Sequence, residues 1–253
     1  MIQDLLAAAE SFALEAGAVT LRHFGGWVDH EDKADGTPVT LADREAELLI
    51  RNRIDQRYPD HGVLGEEHGE TRPGASVRWI VDPIDGTRSF MRGVPLYGVL
   101  LGIEIEGEPA VGVAHFPALS ETVAAGRGLG CRWNGRPCRV SSVDRVSDAL
   151  VLTTDPARVL TEPTGPGWER LQAEAALSRT WGDCYGHALV ATGRADLMVD
   201  PILSAWDAAP LLTILTEAGG RFTDLAGRET IHGGSGVSSN GTLHEEVLRL
   251  LRA

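Results

Sequence analysis

The sequence predicts a mixed α/β protein, layered and two-lobed, with an N-terminal α+β lobe over residues 1–145 and a C-terminal α/β lobe over residues 146–253. Three observations predict it: helical apolar spacing in the first sixty residues, a stretch of short apolar runs cut by Gly turns from 77 to 140, and strands alternating with helices after 150. A chain of 253 residues is long enough to bury such a core without disulfide staples.

The elements follow in order. Ile2, Leu5, Leu6, Ala9, Phe12, Ala13, Ala16 and Val19 keep the i, i+3, i+4, i+7 spacing of an amphipathic helix, and Gly25-Gly26 supplies a stop. Thr40 with Asp43 forms a variant capping box ahead of Ala46, Leu49, Ile50 and Ile54, which predicts a second helix over 41–57 with Asp43 in its first turn. The runs Val77–Val81, Tyr97–Ile105 and Ala110–His115, with breaks at Glu106-Gly107, 126–130 and Asn134-Gly135, predict antiparallel hairpins. After residue 150 the expected order is a strand at 150–153, helices at 167–178 and 184–192, a strand at 195–199, a helix at 207–218, a strand at 221–223 and a final helix from 242. Pro156, Pro163 and Pro166, interleaved with Gly165 and Gly167, predict a loop near the lobe junction.

Composition narrows the function. Charged residues are 23% and hydrophobic residues 43%, which describes an ordinary globular protein rather than a disordered one. The formal net charge of −13 repels a phosphate backbone, so nucleic acid is not an expected partner. Asp4, Glu10 and Glu15 interrupt the N-terminal apolar residues, and no apolar window approaches the ~18 residues of a membrane span, so a cytoplasmic protein without a membrane partner is expected. Cys131, Cys138 and Cys184 lack metal-knuckle spacing and read as reduced, structural thiols. Asn240-Gly241-Thr242 reads as a turn, and Gly126–Gly130 lacks the Lys-Ser/Thr of a phosphate loop and reads as a turn as well. His68, His115 and His187 have no metal-site spacing and read as structural, as do Trp27, Trp79 and Trp133.

The chemistry sits in carboxylates. Trp79-Ile80-Val81-Asp82-Pro83-Ile84-Asp85-Gly86-Thr87 runs an apolar strand into two acids separated by a proline, and Gly86 permits a turn closed to other residues. Two carboxylates converging there, with the Ile84 carbonyl as a third oxygen, suit an open Mg²⁺ site; an Asx-turn is the plainer alternative. Glu66 ends another apolar run and either joins the cluster or caps an exposed acidic turn. Asp207 opens an apolar helix, where N-capping explains it equally. A shared cation would resolve the repulsion among these acids and let an acidic protein bind an anionic substrate.

These residues resemble the inositol monophosphatase-like family of Mg²⁺-dependent phosphomonoesterases. Four of its elements occur in order: Val39, Thr40 and Asp43; Gly65, Glu66 and Glu67; Asp82 to Thr87; and Trp206, Asp207 and Ala209. The third alone would arise by chance in roughly fewer than one in a thousand such chains. The resemblance implies an αβαβα sandwich of the sugar-phosphatase type and two to three Mg²⁺ ions per site. Glu66, Asp82 and the Ile84 carbonyl would bind one ion, Asp82, Asp85 and Asp207 a second, and a third would sit near Glu66, with Lys33 positioning the loop beside it. Thr87, hydrogen-bonded to Asp43, would orient the attacking water, and the Gly86 and Thr87 amides would hold phosphate. Asp43, Glu66 and Thr87 are thus the implied catalytic residues. A homodimer acting on a small phosphorylated metabolite is the family expectation.

Two segments bear on the substrate. Arg88, directly after Asp-Gly-Thr, offers a charge-assisted phosphate contact. Trp181-Gly182-Asp183-Cys184-Tyr185, with His232-Gly233-Gly234-Ser235-Gly236, resembles the histidinol-phosphate phosphatase branch. Asp183 and Asp200 would then face an ammonium and an imidazole, with Trp181 and Tyr185 as pocket walls; a helix cap for Asp183 and a strand-end surface residue for Asp200 are the alternatives. An inositol or sugar-phosphate phosphatase on the same residues, or a noncatalytic metal-binding module, are the competing functions.

Overall fold

A computed structural model describes residues 1–26, 28–33 and 36–252; Trp27 lies outside them. The elements are, in order, α1 (Ile2–Leu21), β1 (His30–Asp32), β2 (Pro38–Thr40), α2 (Leu41–Arg57), β3 (Gly62–Gly65), β4 (Gly69–Thr71), β5 (Val77–Asp85), α3 (Thr87–Met91), β6 (Gly98–Ile105), β7 (Glu108–Phe116), β8 (Glu121–Gly126), β9 (Gly130–Trp133) and β10 (Arg136–Pro137). There follow β11 (Leu150–Leu152), α4 (Pro156–Thr161), α5 (Gly165–Glu174), β12 (Leu177–Arg179), α6 (Asp183–Ala191), β13 (Leu197–Asp200), α7 (Ala205–Glu217), β14 (Arg221–Thr223), β15 (Gly236–Ser239) and α8 (His244–Arg252).

An eight-stranded sheet runs β10-β9-β8-β7-β6-β5-β3-β4 and a five-stranded sheet runs β12-β11-β13-β15-β14. Helices α1 and α2 cover one face of the larger sheet, burying Leu5, Phe12, Ile50 and Ile54 against Trp79, Val81 and Leu101. Helices α6 and α7 fill the space between the sheets with Leu189, Leu211, Ile214 and Leu215. On the outer face of the smaller sheet, Trp168, Leu171, Val247 and Leu251 from α5 and α8 pack on Val151, Leu197 and Val237. The layers therefore alternate αβαβα, as the resemblance implied.

Helix α2 starts and ends where the capping pattern put it. Thr40 Oγ1 accepts the Asp43 amide while Asp43 Oδ2 accepts the Thr40 amide. The hairpin turns at Glu106-Gly107 and Asn134-Gly135 hold both residues at positive φ, as two-residue primed turns require. At 126–130, the Gly128 and Gly130 amides both donate to Glu217, so that loop is a carboxylate-bound turn. Cys131, Cys138 and Cys184 are all free thiols, and the Asn240 amide is spent on Ser141 and Val143.

The structure corrects several expectations. The proline-rich loop is two helices: Pro156 opens α4 behind the Asp155 N-cap, and Pro166 lies in the first turn of α5. Proline is tolerated there because its missing N–H is one the helix could not use. Strands β3, β12 and β15 were not anticipated as strands. β3 and β12 each have only three or four residues and pair in parallel with distant partners, and β15 contains only one strongly β-preferring residue, Val237.

One packing detail places the site. Gly102 and Gly112 face each other across β6 and β7, and α7 lies directly over them. A Cβ on Gly102 would stand 2.6 Å from the Ala209 Cβ, and one on Gly112 would stand 2.2 Å from the Pro210 carbonyl oxygen. This close approach sets the start of α7 beside the end of β5. Gly112→Ala is expected to push the helix away, costing about 2 kcal/mol and lowering Tm by roughly 5 °C in a thermal melt. An unchanged Tm would contradict the close approach.

Candidate active site

The carboxylates come together at the C-terminal end of β5. Gly65 of β3 pairs in parallel with Val81 of β5, so Glu66 and Asp82 emerge side by side, and the Glu66 amide donates to the Val81 carbonyl at 3.1 Å. The register shifts between Asp82 and Asp85; this irregularity turns both acids to one place. Gly86, at φ 82°, then starts α3 in a left-handed conformation that a side chain would resist. Asp207 enters from α7, where it is the third helical residue and its Oδ2 accepts the Ser204 amide at 2.7 Å. The N-cap is Ser204 rather than Asp207, which serves as the third-residue acid of a capping box and stands in the cluster as well.

Among the described residues, Asp82, Asp85 and Asp207 each offer an oxygen within 4.8 Å of the other two. The Asp82 carboxyl is driven well above its usual range by burial first and then by Glu66, Asp207 and Asp85. Burial followed by Asp207 pushes Asp85 up to about 7, against the pull of the Cys184 amide, which donates to its Oδ2 at 2.5 Å. Asp207 rises to about 7 for the same reason, with burial foremost. Without a counter-ion these groups hold protons they would lose in water. An all-oxygen donor set crowded against its own repulsion fits a hard divalent cation. Asp82 Oδ1 also accepts the Ile84 amide at 3.0 Å, so the Asx-turn is present within the cluster rather than instead of it.

One implied hydrogen bond is absent. Thr87 does not hydrogen-bond Asp43: its Oγ1 donates to the Ile84 carbonyl at 3.0 Å, the oxygen assigned to a metal. Thr40, through both amide and hydroxyl, has claimed Asp43 Oδ2 at 2.7 and 2.5 Å, whereas the buried Oδ1 has no partner. Burial pushes the Asp43 carboxyl up to about 7. Lys33 lies on the Glu66 loop, as the resemblance implied, with its ammonium 2.8 Å from Glu66 Oε1 and 2.5 Å from Glu67 Oε1.

The substrate side comes from the smaller sheet. A cleft of about 250 Å³ is lined by Asp85, Asp207, Asp183, Asp200, Thr154 and Arg158, among others. Asp183 opens α6 at φ 52° without capping it, and its carboxyl is raised well above the usual range by burial, then by Asp85 and Asp200. Exposed Arg88 acts against that rise. Asp200, in contrast, is 3% exposed and is neither a surface residue nor a free ligand. Its oxygens accept the Thr154 amide (3.1 Å) and hydroxyl (2.8 Å), and His187 Nε2 lies at 3.3 Å. Thr154 Oγ1 in turn accepts the Asp183 amide at 2.8 Å, so Asp200 braces the start of α6 while it lines the cleft. Thr154 was missed because hydroxyl bracing leaves no motif, whereas His187, read as structural, is a buried brace.

Trp181 and Tyr185 do not line this cleft. Tyr185 packs edge-on against Phe116 and bonds Glu121, a consequence of its helical position two residues past Asp183. His232 lines a separate cleft with Glu108, Arg127 and Thr213, and the Gly234 carbonyl accepts the Leu203 amide, bracing the segment that walls the acid site. No helix among the described residues is long and apolar enough to cross a membrane.

The sequence matches the inositol monophosphatase family over residues 1–253. It is 46% identical over 250 residues to a histidinol-phosphatase of Chlorobaculum parvum, spanning 98% of this chain and 96% of that one. It is 39% identical over 268 residues to a histidinol-phosphatase of Mycobacterium tuberculosis, spanning 100% of each. The crystal structure of the extragenic suppressor protein suhB from Bartonella henselae superposes with a TM-score of 0.92 at 30% identity, over 98% of both chains. With the acid cluster of β5 and α7 in place and the match running from end to end, the chain belongs to the inositol monophosphatase family.

Proposed function

We propose that this chain is a Mg²⁺-dependent phosphomonoesterase whose substrate is histidinol phosphate. The observation that carries the reading is the Asp183 carboxylate, which shares one cleft with Asp85 and Asp207 of the three-carboxylate cluster. In histidinol phosphate the ammonium stands on the carbon next to the phosphoester methylene, and the cleft correspondingly sets the anionic Asp183 beside the cation-demanding acids. The relatives named histidinol-phosphatase support the same assignment.

Glu66, Asp82 and the Ile84 carbonyl would hold one Mg²⁺, and Asp82, Asp85 and Asp207 a second. When bound, such ions lower the pKa of water and offset charge on the phosphoryl and leaving oxygens. The remaining work belongs to the side chains. The Thr87 hydroxyl and the unpartnered Asp43 oxygen orient the attacking water. Gly86 and Thr87 offer amides, and Arg88 a guanidinium, to the phosphate oxygens. Asp183 takes the substrate ammonium, a pairing strengthened by burial. Water attacks phosphorus, the ester P–O bond breaks, and orthophosphate and the alcohol leave without a covalent phosphoenzyme. A homodimer in the cytoplasm completes the reading.

Side-by-side turnover decides the substrate. Histidinol phosphate is expected to exceed myo-inositol 1-phosphate and fructose bisphosphate in kcat/KM by about 10²-fold or more. Asp183→Asn should remove most of that margin, chiefly through KM. Preference for inositol or sugar phosphate would overturn the substrate, and no turnover of any monoester would leave a metal-binding module.

A further inference from the structure

The turn that carries Glu66 is held by a carboxylate that never reaches the cleft. Glu47 lies one helical turn beyond Asp43 on α2 and is 0% exposed. Its Oε2 accepts the Glu67 amide at 2.7 Å and its Oε1 accepts the His68 amide at 3.1 Å. Arg51 Nε donates to the same Oε1 at 2.7 Å, and Arg51 Nη2 reaches on to the Gly69 carbonyl. Gly65 and Gly69 pair across β3 and β4, so residues 66, 67 and 68 are the whole connection. Its three amides are all committed: the first to Val81, the other two to Glu47. Gly65 is required for this approach, since a Cβ there would stand 2.1 Å from Glu47 Oε1.

Burying a carboxylate is costly unless donors are aimed at it. A turn needing only to connect two short strands does not require one. We infer that Glu47 is a positioning residue, which fixes the backbone under Glu66 so that its carboxylate stands beside Asp82 before a divalent cation arrives. The inference rests on the metal reading of the site given above. A ligand already in place loses little freedom on binding, so Glu47 acts on cation affinity, with Arg51 holding the carboxylate in its orientation. Glutamine cannot replace it: one end of its amide is a donor facing donors.

The test is Mg²⁺ titration of the full-length protein without substrate, by calorimetry, alongside the Mg²⁺ dependence of phosphatase activity. Glu47→Gln should raise the Mg²⁺ dissociation constant about ten- to a hundredfold, with the lost activity recovered at high Mg²⁺. Glu47→Asp, which keeps the charge, should fall between. A folded Glu47→Gln with wild-type Mg²⁺ affinity, or one whose activity stays lost at saturating Mg²⁺ with affinity unchanged, overturns the inference. Near-UV circular dichroism establishes folding. Should Glu47→Gln not fold, Arg51→Lys applies the same test, with a weakening of about threefold expected and unchanged affinity counting against. Asp85→Asn, run in parallel, separates the two layers. If it too binds Mg²⁺ normally, the metal reading fails; if it alone loses Mg²⁺, only the role of Glu47 fails.

Discussion

Asp85→Asn is expected to lower kcat/KM by about 10³-fold while making the metal-free protein more stable. The two effects have one source. Asp85 stands within 4.8 Å of Asp82 and Asp207, and burial with Asp207 raises it to about 7. At pH 8 the folded metal-free chain must carry a charge it resists, whereas the unfolded chain carries it freely. Asparagine keeps the shape and can still accept the Cys184 amide, but brings no charge. Relief of about 2 kcal/mol or more corresponds to a rise in Tm of about 5 °C for a chain of this size. Activity assays and melts in chelator check both halves. A variant that loses activity and stability together would show that Asp85 serves the fold instead of the cation.

The second large effect is on pH. Asp43, Asp85 and Asp207 each titrate near 7 when folded, against an ordinary value of 3.8. Between these values the folded state binds more protons than the unfolded state, so metal-free stability is highest below about pH 4 on their account and declines as pH rises through 7. Mg²⁺ requires Asp85 and Asp207 in the deprotonated form and competes with their protons. The rise in Tm on adding Mg²⁺ should therefore be small at pH 5.5 and large at pH 8. Calorimetry in buffers of different ionisation enthalpy should show proton release near pH 6. An Mg²⁺ effect on Tm equal at both pH values would mean that these carboxyls do not meet the cation.

Much of the metal side was legible in the sequence because its geometry is local. Asp82-Pro83-Ile84-Asp85-Gly86 encodes its own turn, and Thr40 with Asp43 encodes its own cap, so short-range rules sufficed. What escaped was set at long range. The pairing of Gly65 with Val81 that puts Glu66 beside Asp82 is parallel and joins segments with a hairpin edge between them. Asp200 read as a substrate-facing acid, with a strand-end surface residue as the alternative, yet Thr154, 46 residues away, and His187 bond its oxygens. Thr87 was assigned to Asp43 by likeness, whereas the Ile84 carbonyl three residues back was the nearer acceptor. Prolines near 156 and 166 read as breakers because one position inside a helix start cannot be told from a loop without the N-cap.

On the proposed reading the cleft would draw its hydrolytic acids from β5 and α7 and its selective acid, with the braces beneath it, from residues 154, 183, 187 and 200. Mutational drift in the second group can re-address the enzyme to another monoester while the bond-breaking apparatus is inherited intact. Drift in the first silences turnover and leaves recognition standing.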